Sequence, residues 1–264
     1  MKKLPIAIKC TAFAGLIVAA GVSASAQTLA LQLQVSNYNP ITGVWTDTSG
    51  NNDTATYYGT LPTLQTGVTP NGSSAVNLIG NGGFNLVSSI TGGSGYTVFA
   101  FIKPLAPSGG RYALTGGSSP YALEYNIYSG HQNWLSEYQG GGGAGTATIS
   151  TSSFSLIDVT ASTSGGSFNL NGSPDGTTGG TAGGTPFSPL TRIGNNEGGG
   201  DGFAGSISEI DIYQGVLTSS QIATVEANFT AEYITAVPEP TTWAMMAGGF
   251  GMLFATRRFR RSEG

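Results

Sequence analysis

The segment FAGSISEIDIY, residues 203–213, decides the fold. Its side chains alternate, so Glu209, Asp211 and Tyr213 fall on one face of an extended chain and Ile210 and Ile212 on the other. That pattern predicts a strand with a solvated acidic face over a buried apolar one. The same period of two runs through LALQLQV (residues 29–35), where Leu29, Leu31, Leu33 and Val35 oppose Gln32 and Gln34. GYTVFAFIK (95–103), YALEYNIY (121–128), FSLIDVTA (154–161) and SFNL (167–170) carry the same strand-forming character. No stretch pairs each strand with a helix, so a parallel α/β sheet is excluded and an antiparallel sandwich is predicted.

The connections between these segments are rich in glycine. Runs at 140–143, 165–166, 179–180, 183–184 and 198–200 have no three-residue period, which excludes collagen, and they are predicted to be loop tips. One helix is predicted after the last strand. Thr218 and Gln221 form a capping-box pair, and Ile222, Val225 and Phe229 recur at helical spacing.

The ends differ in character from the middle. Lys2, Lys3 and Lys9 precede a short apolar run, and Ala24, Ser25 and Ala26 precede Gln27, the pattern of a secretory leader over 1–26. The single cysteine, Cys10, falls within it, so the exported chain has no thiol for disulfides, catalysis or zinc. At the other end an apolar stretch of about 14 residues rises only about 21 Å as a helix, short of a hydrocarbon core of about 30 Å. Arginines 257, 258, 260 and 261 follow it, the charge placement of a segment held with its end in the cytoplasm.

Residues 27–236 form the remaining domain, long enough for one sizeable core. Three basic side chains (Lys103, Arg111, Arg192) stand there against twelve carboxylates, a net of −9. Nucleic acid and anionic lipid are poor partners for such a surface.

Val237, Pro238, Glu239 and Pro240, then Trp243, the apolar helix and Arg257, Arg258, Arg260 and Arg261 resemble the PEP-CTERM sorting signal of Gram-negative bacteria that make extracellular polysaccharide. The resemblance implies, over 237–264, a membrane contact through the short helix, recognition by an exosortase and removal of the tail near Pro-Glu-Pro. It implies export across the inner membrane to the envelope, surface or extracellular matrix.

The middle resembles the concanavalin A-like jelly rolls of the laminin G-like group. Trp45 through Asn51 (WTDTSGN) is similar to their early W-x-D-x-S-G-N turn, and 96–103 to their central strand. Arg192-Ile193-Gly194, then FAGSISEI at 203–210, Ile212-Tyr213 and Leu217-Thr218 before the helix are similar to their C-terminal signature. The implied architecture is all-β: an antiparallel jelly-roll sandwich with one short C-terminal helix. That group includes binding modules for glycans or proteins as well as domains without ligands.

Candidate sites are few. Asp47, Ser49, Asn51 and Asp53 place oxygens at alternate positions, as a calcium loop begins, but Asn52 stands where an EF-hand needs glycine and Tyr58 where it needs glutamate. Two readings remain: a looser Ca²⁺ site on Asp47, Asn51 and Asp53, or an Asx-type turn held by side-chain to backbone bonds. Asn195, Asn196, Glu197 and Asp201 make a second acidic loop with the same alternatives. The only histidine, His131, lies near Trp134 and Tyr138, a set suited to stacking on a sugar or to a core edge.

Glu209 and Asp211 resemble the start of the E-x-D-x-E strand of jelly-roll β-glucanases, which implies a nucleophile and its helper. Tyr213 occupies the place of the acid, so the carboxyl pair that retaining hydrolysis needs about 5–5.5 Å apart is incomplete. The chain is therefore expected to be no enzyme and to need no cofactor, with Ca²⁺ at the Asp47 loop left as the alternative to the turn. The expected function is a surface or matrix protein contacting extracellular polysaccharide. The rival expectations are a glycoside hydrolase using Glu209 and a structural protein with no ligand.

Overall fold

Alternating segments pair side by side into an antiparallel ladder that doubles back as two facing sheets, in a computed structural model describing residues 27–91, 93, 95–105, 111–117, 125–128, 134–137, 143–179, 189–195 and 202–235. The strands begin with β1 (Thr28–Gln34), β2 (Tyr38–Asn39), β3 (Val44–Trp45), β4 (Ala55–Gly59), β5 (Thr63–Gln65), β6 (Ala75–Ile79), β7 (Gly82–Ile90) and β8 (Gly95–Pro104). They continue as β9 (Arg111–Gly117), β10 (Tyr125–Tyr128), β11 (Trp134–Glu137), β12 (Gly143–Gly145), β13 (Ser155–Ser162), β14 (Gly165–Leu170), β15 (Ser173–Gly179), β16 (Leu190–Ile193) and β17 (Ala204–Gln214). Helix α1 (Ser219–Phe229) follows.

Pairing runs β1–β17–β8–β13–β14–β15, crosses through β12, and continues β11–β10–β9–β16–β7–β4–β3–β2. All of these pairings are antiparallel. The jelly-roll sandwich that the sequence predicts is thus the fold.

β17 organises the first sheet. Its first half pairs with β6, its second half with β1, and its other edge with β8. A bulge against β8 between Ile207 and Glu209 absorbs one residue. Its effect is on side-chain direction: Ile207, Ile210 and Ile212 face Ile102, Ala100 and Val98 in register, despite the odd spacing between the first two. All six are buried in the core. On the opposite face Glu209, Asp211 and Tyr213 stand beside Phe101, Phe99 and Thr97.

That opposite face is not solvated, which corrects the sequence expectation. Glu209 and Asp211 are each only 3% exposed. The cause is α1, with its capping box at Thr218 and Gln221, continuing as a wider turn through Thr230–Ile234. Phe229 stacks on Phe99 with centroids 6.2 Å apart, and Tyr233 stacks on Phe101 at 5.3 Å. β8 is buried on both faces for this reason: one side fills the sandwich and the other receives the helix.

In the second sheet Trp45 meets Phe84 edge-on at 5.3 Å and Tyr38 at 6.0 Å, and its indole Nε1 donates to the Gln34 carbonyl at 2.7 Å. Three of the glycine runs reach into strands, since Gly143 opens β12 and Gly179 ends β15. Gly165 and Gly166 open β14 instead of forming a loop tip, and a Cβ on Gly166 would sit 1.8 Å from the Thr160 carbonyl oxygen. Close approach of β13 is what demands glycine there.

Among the described residues no helix is long and apolar enough to cross a membrane. The leader at 1–26 and the sorting segment at 237–264 lie outside the described residues.

Candidate functional site

Register sets the chemistry of the helix-covered face. One row across the sheet reads Gln32, Asp211, Phe99, Asp158, Asn169, and the next reads Gln34, Glu209, Phe101, Leu156. The aromatic centre of each row docks the helix, so the polar residues collect on either side of it. On the β1 side they form a groove of about 510 Å³.

Glu209 and Asp211 make its buried floor, Gln32, Gln34 and Tyr213 its half-buried wall, and Asn228 and Glu232 its exposed rim. Gln32 Nε2 donates to Glu209 Oε1 at 3.0 Å and reaches Asp211 Oδ2 at 3.5 Å; Gln34 Nε2 donates to Glu232 Oε2 at 3.4 Å. Asp211 Oδ1 has no donor. Burial, then the neighbouring Glu209 carboxyl, pushes the Asp211 carboxyl well above the usual range. Glu209 moves the same way, by burial first and then repulsion from Glu232. Burial and these two acids also push the Tyr213 hydroxyl up to about 12.

The floor therefore holds two adjacent acids, each of which favours a proton when the other is ionised.

On the far side of α1, Asp158 is fully buried. Its Oδ1 accepts from Asn169 Nδ2 at 2.6 Å and its Oδ2 has no donor. Burial, with Glu226 of α1 adding to it, pushes Asp158 up to about 7.

The Asp47 loop has another character. Oδ1 accepts from the Gln32 and Ser49 amides at 3.0 and 2.9 Å, and Oδ2 from Ser49 Oγ and the Asp53 amide at 2.8 and 3.0 Å. Burial raises its pKa, but these bonds together outweigh burial and hold it below the ordinary value. Asn51 turns its amide Nδ2 toward the Leu29 and Ala30 carbonyls. The geometry is that of the Asx-type turn. Among the described residues no three metal-ligating side chains gather.

His131 and Tyr138 lie outside the described residues, and Trp134 opens β11, whose backbone alone is described. Asn195 is buried, while Asn196, Glu197 and Asp201 lie outside the described residues. Sequence reasoning found the two floor acids but missed Gln32, Gln34, Asn228 and Glu232 as their neighbours. The available signal was residues 96–102, apolar at both odd and even positions, which betrays a second covered face.

In sequence, residues 79–223 match the model of the Concanavalin A-like lectin/glucanases superfamily, and residues 236–261 match the PEP-CTERM protein-sorting motif. A search of curated proteins finds no match. In three dimensions the chain resembles domain 4 of AbnA, an extracellular arabinanase from Geobacillus stearothermophilus, in complex with arabinotriose. That likeness has 20% identity and a TM-score of 0.52, over 76% of this chain and 98% of that one. It also resembles the binding domain of Paraclostridial Mosquitocidal Protein 1, at 15% identity and TM-score 0.55, over 76% of this chain and 52% of that one. A Trypanosoma rangeli sialidase matches at 18% identity and TM-score 0.56, over 80% of this chain and 34% of that one. At such identities the likeness is one of fold.

Proposed function

Because the chain belongs to the Concanavalin A-like lectin/glucanases superfamily and carries a PEP-CTERM protein-sorting motif, we propose that it is a non-catalytic surface or matrix protein that contacts extracellular polysaccharide. The motif marks an exported protein of the Gram-negative envelope, and its processing enzyme is an exosortase acting near Val237 to Pro240. The observation that carries the non-catalytic half is the burial of Glu209 and Asp211 under the C-terminal helix, in contact with each other. Their adjacency supplies one acid where retaining hydrolysis needs two separated ones.

The first test is turnover. Wild type and Glu209→Gln (E209Q), assayed against mixed β-glucans, are expected to show the same background rate. Glucan cleavage that disappears in E209Q would make the protein a hydrolase.

Binding is tested separately, by retention of the purified chain on insoluble polysaccharides with and without Ca²⁺. Retention on at least one glycan is expected, since amide and hydroxyl side chains on an acidic surface suit polar contacts with neutral or cationic sugars. No retention on any of them leaves only a structural role.

A further inference from the structure

Helix α1 and the turn after it, Thr230–Ile234, lie across the sheet as a strap whose charge is all of one sign. They carry Glu226 and Glu232 and no basic side chain. The sheet beneath presents Asp158, Glu209 and Asp211, all buried, and the pockets on the two flanks of the helix are lined by no basic side chain either. Lys103, on the same face of β8, is engaged over the Phe154 ring at 5.5 Å. Carboxyl groups therefore meet at this helix–sheet contact without a cation between them, an arrangement that persists only while some of them are protonated.

Asp158 shows where such a proton sits. It is sealed between β14 and α1; its Oδ1 accepts from Asn169, and its Oδ2 receives no amide or hydroxyl hydrogen. Phe99 of β8, beside it in the same row, has no polar atom to offer. The group that faces it from the helix is the Glu226 carboxyl, which can supply a hydrogen only when one of the two acids is protonated.

We propose that α1 and the turn after it are a proton-held strap, docked while Asp158 and Glu226 share a hydrogen across the interface and lifting as a unit when that hydrogen is lost. On the other flank Glu209 and Asp211 of β17 face Tyr233 and Glu232 of the strap and Gln32 and Gln34 of β1, and their ionisation acts in the same direction. The rest of the attachment is neutral: the buried side chains of Val225, Phe229 and Tyr233, Gln221 Nε2 donating to Gln27 Oε1 at 3.0 Å, and the Asn71 amide donating to the Tyr233 carbonyl at 3.2 Å. None of these changes between pH 5 and 8, so charge decides how often the strap opens. Burial, with Glu226 adding to it, pushes the docked Asp158 up to about 7, whereas an exposed aspartate titrates near 3.9. Docking is therefore strongest below about pH 4 and weakens as pH rises through about 7, which makes opening about a hundredfold more frequent at pH 8 than at pH 5. The strap is also the link between β17 and the sorting motif matched at 236–261.

Hydrogen exchange of the full chain, read by mass spectrometry at pH 5, 6.5 and 8 and corrected for the intrinsic rate at each pH, tests the switch. Amides of residues 219–235 are expected to exchange together and to lose about a hundredfold in protection from pH 5 to pH 8, while β8 and β13 stay protected at pH 8. Glu226→Gln, at a half-buried position, gives Asp158 Oδ2 a permanent donor and removes the opposing charge. Its strap should stay closed and lose less than about tenfold over the same range. Protection of 219–235 that does not depend on pH overturns the proposal, and so does a Glu226→Gln variant that follows the wild-type curve. Exchange of β8 and β13 in step with the strap overturns it too, because the whole domain would then be opening.

Discussion

The melting temperature is expected to fall by about 10 °C between pH 5 and pH 8, and Asp158→Asn is expected to remove much of that fall. Asp158 is fully buried between β14 and α1, accepts one bond from Asn169, and leaves Oδ2 without a donor. Its carboxyl is pushed up to about 7 by burial, reinforced by Glu226, while an unfolded aspartate titrates near 3.9. The folded-state value is the raised one, so the folded chain holds a proton that the unfolded chain has lost. The resulting stability is fully present below about pH 4 and is lost as pH rises through about 7.

Integrated from pH 5 to 8 the effect of one such group is about 3 kcal/mol, which for a domain of this size is worth roughly 6–12 °C. Glu209 and Asp211, raised in the same direction, add to the slope.

The asparagine variant isolates Asp158 because an amide keeps the acceptor that Asn169 uses and offers Glu226 a donor in place of a negative charge. At pH 8 it should be more stable than wild type, and at pH 5 nearly equal. Thermal melts of both proteins at pH 5, 6.5 and 8 make the comparison. A wild type that is most stable at pH 8, or two parallel curves, would show that Asp158 is solvated and that the helix does not cover it.

This pH response depends on a feature that the strand pattern alone did not reveal. Alternation in residues 29–35 and 203–213 located β1 and β17, and it sorted Ile210 and Ile212 from Glu209 and Asp211 correctly. The same rule assigned the acids to solvent, because a period of two reports which residues share a face and not what lies over that face. The covering layer is a tertiary contact: Phe229 and Tyr233 reach Phe99 and Phe101 across more than a hundred residues of chain.

Short strands escaped for a different reason. β2 and β3 have two residues each, too few to show a period. β7 opens on Gly82 and Gly83, where a Cβ on Gly83 would meet the Ile193 carbonyl oxygen at 2.5 Å. The close approach that requires glycine also removes the side chains from which a strand is recognised. The Asp47 loop was legible as a constellation, but the choice between turn and metal site lay in where its oxygens point.

Those oxygens point at protein donors, and Asp47→Ala should accordingly cost about 3–5 kcal/mol, the sum expected when several hydrogen bonds to one buried charge are lost together. Each carboxylate oxygen takes two donors, and three of the four are backbone amides, of Gln32, Ser49 and Asp53. Alanine leaves these amides without a partner at the point where the loop closes over β1, next to Trp45 in the core. Asp47→Asn should lose about half as much, since it keeps one oxygen but sets an NH₂ against donors.

The depressed pKa of Asp47 gives the opposite pH signature to Asp158. Its stabilisation is present above about pH 4, the unfolded value, and is lost as pH falls through its lower folded value. The two aspartates thus bound the stable range from opposite sides, with the acid limb missing in Asp47→Ala and the alkaline limb flattened in Asp158→Asn. With all four bonds satisfied by the protein, 5 mM Ca²⁺ or excess chelator should leave the wild-type melting temperature unchanged. A calcium-dependent rise that Asp47→Ala abolishes would instead mean that the loop opens its carboxylate to a cation, and that its hydrogen bonds are worth less than a metal.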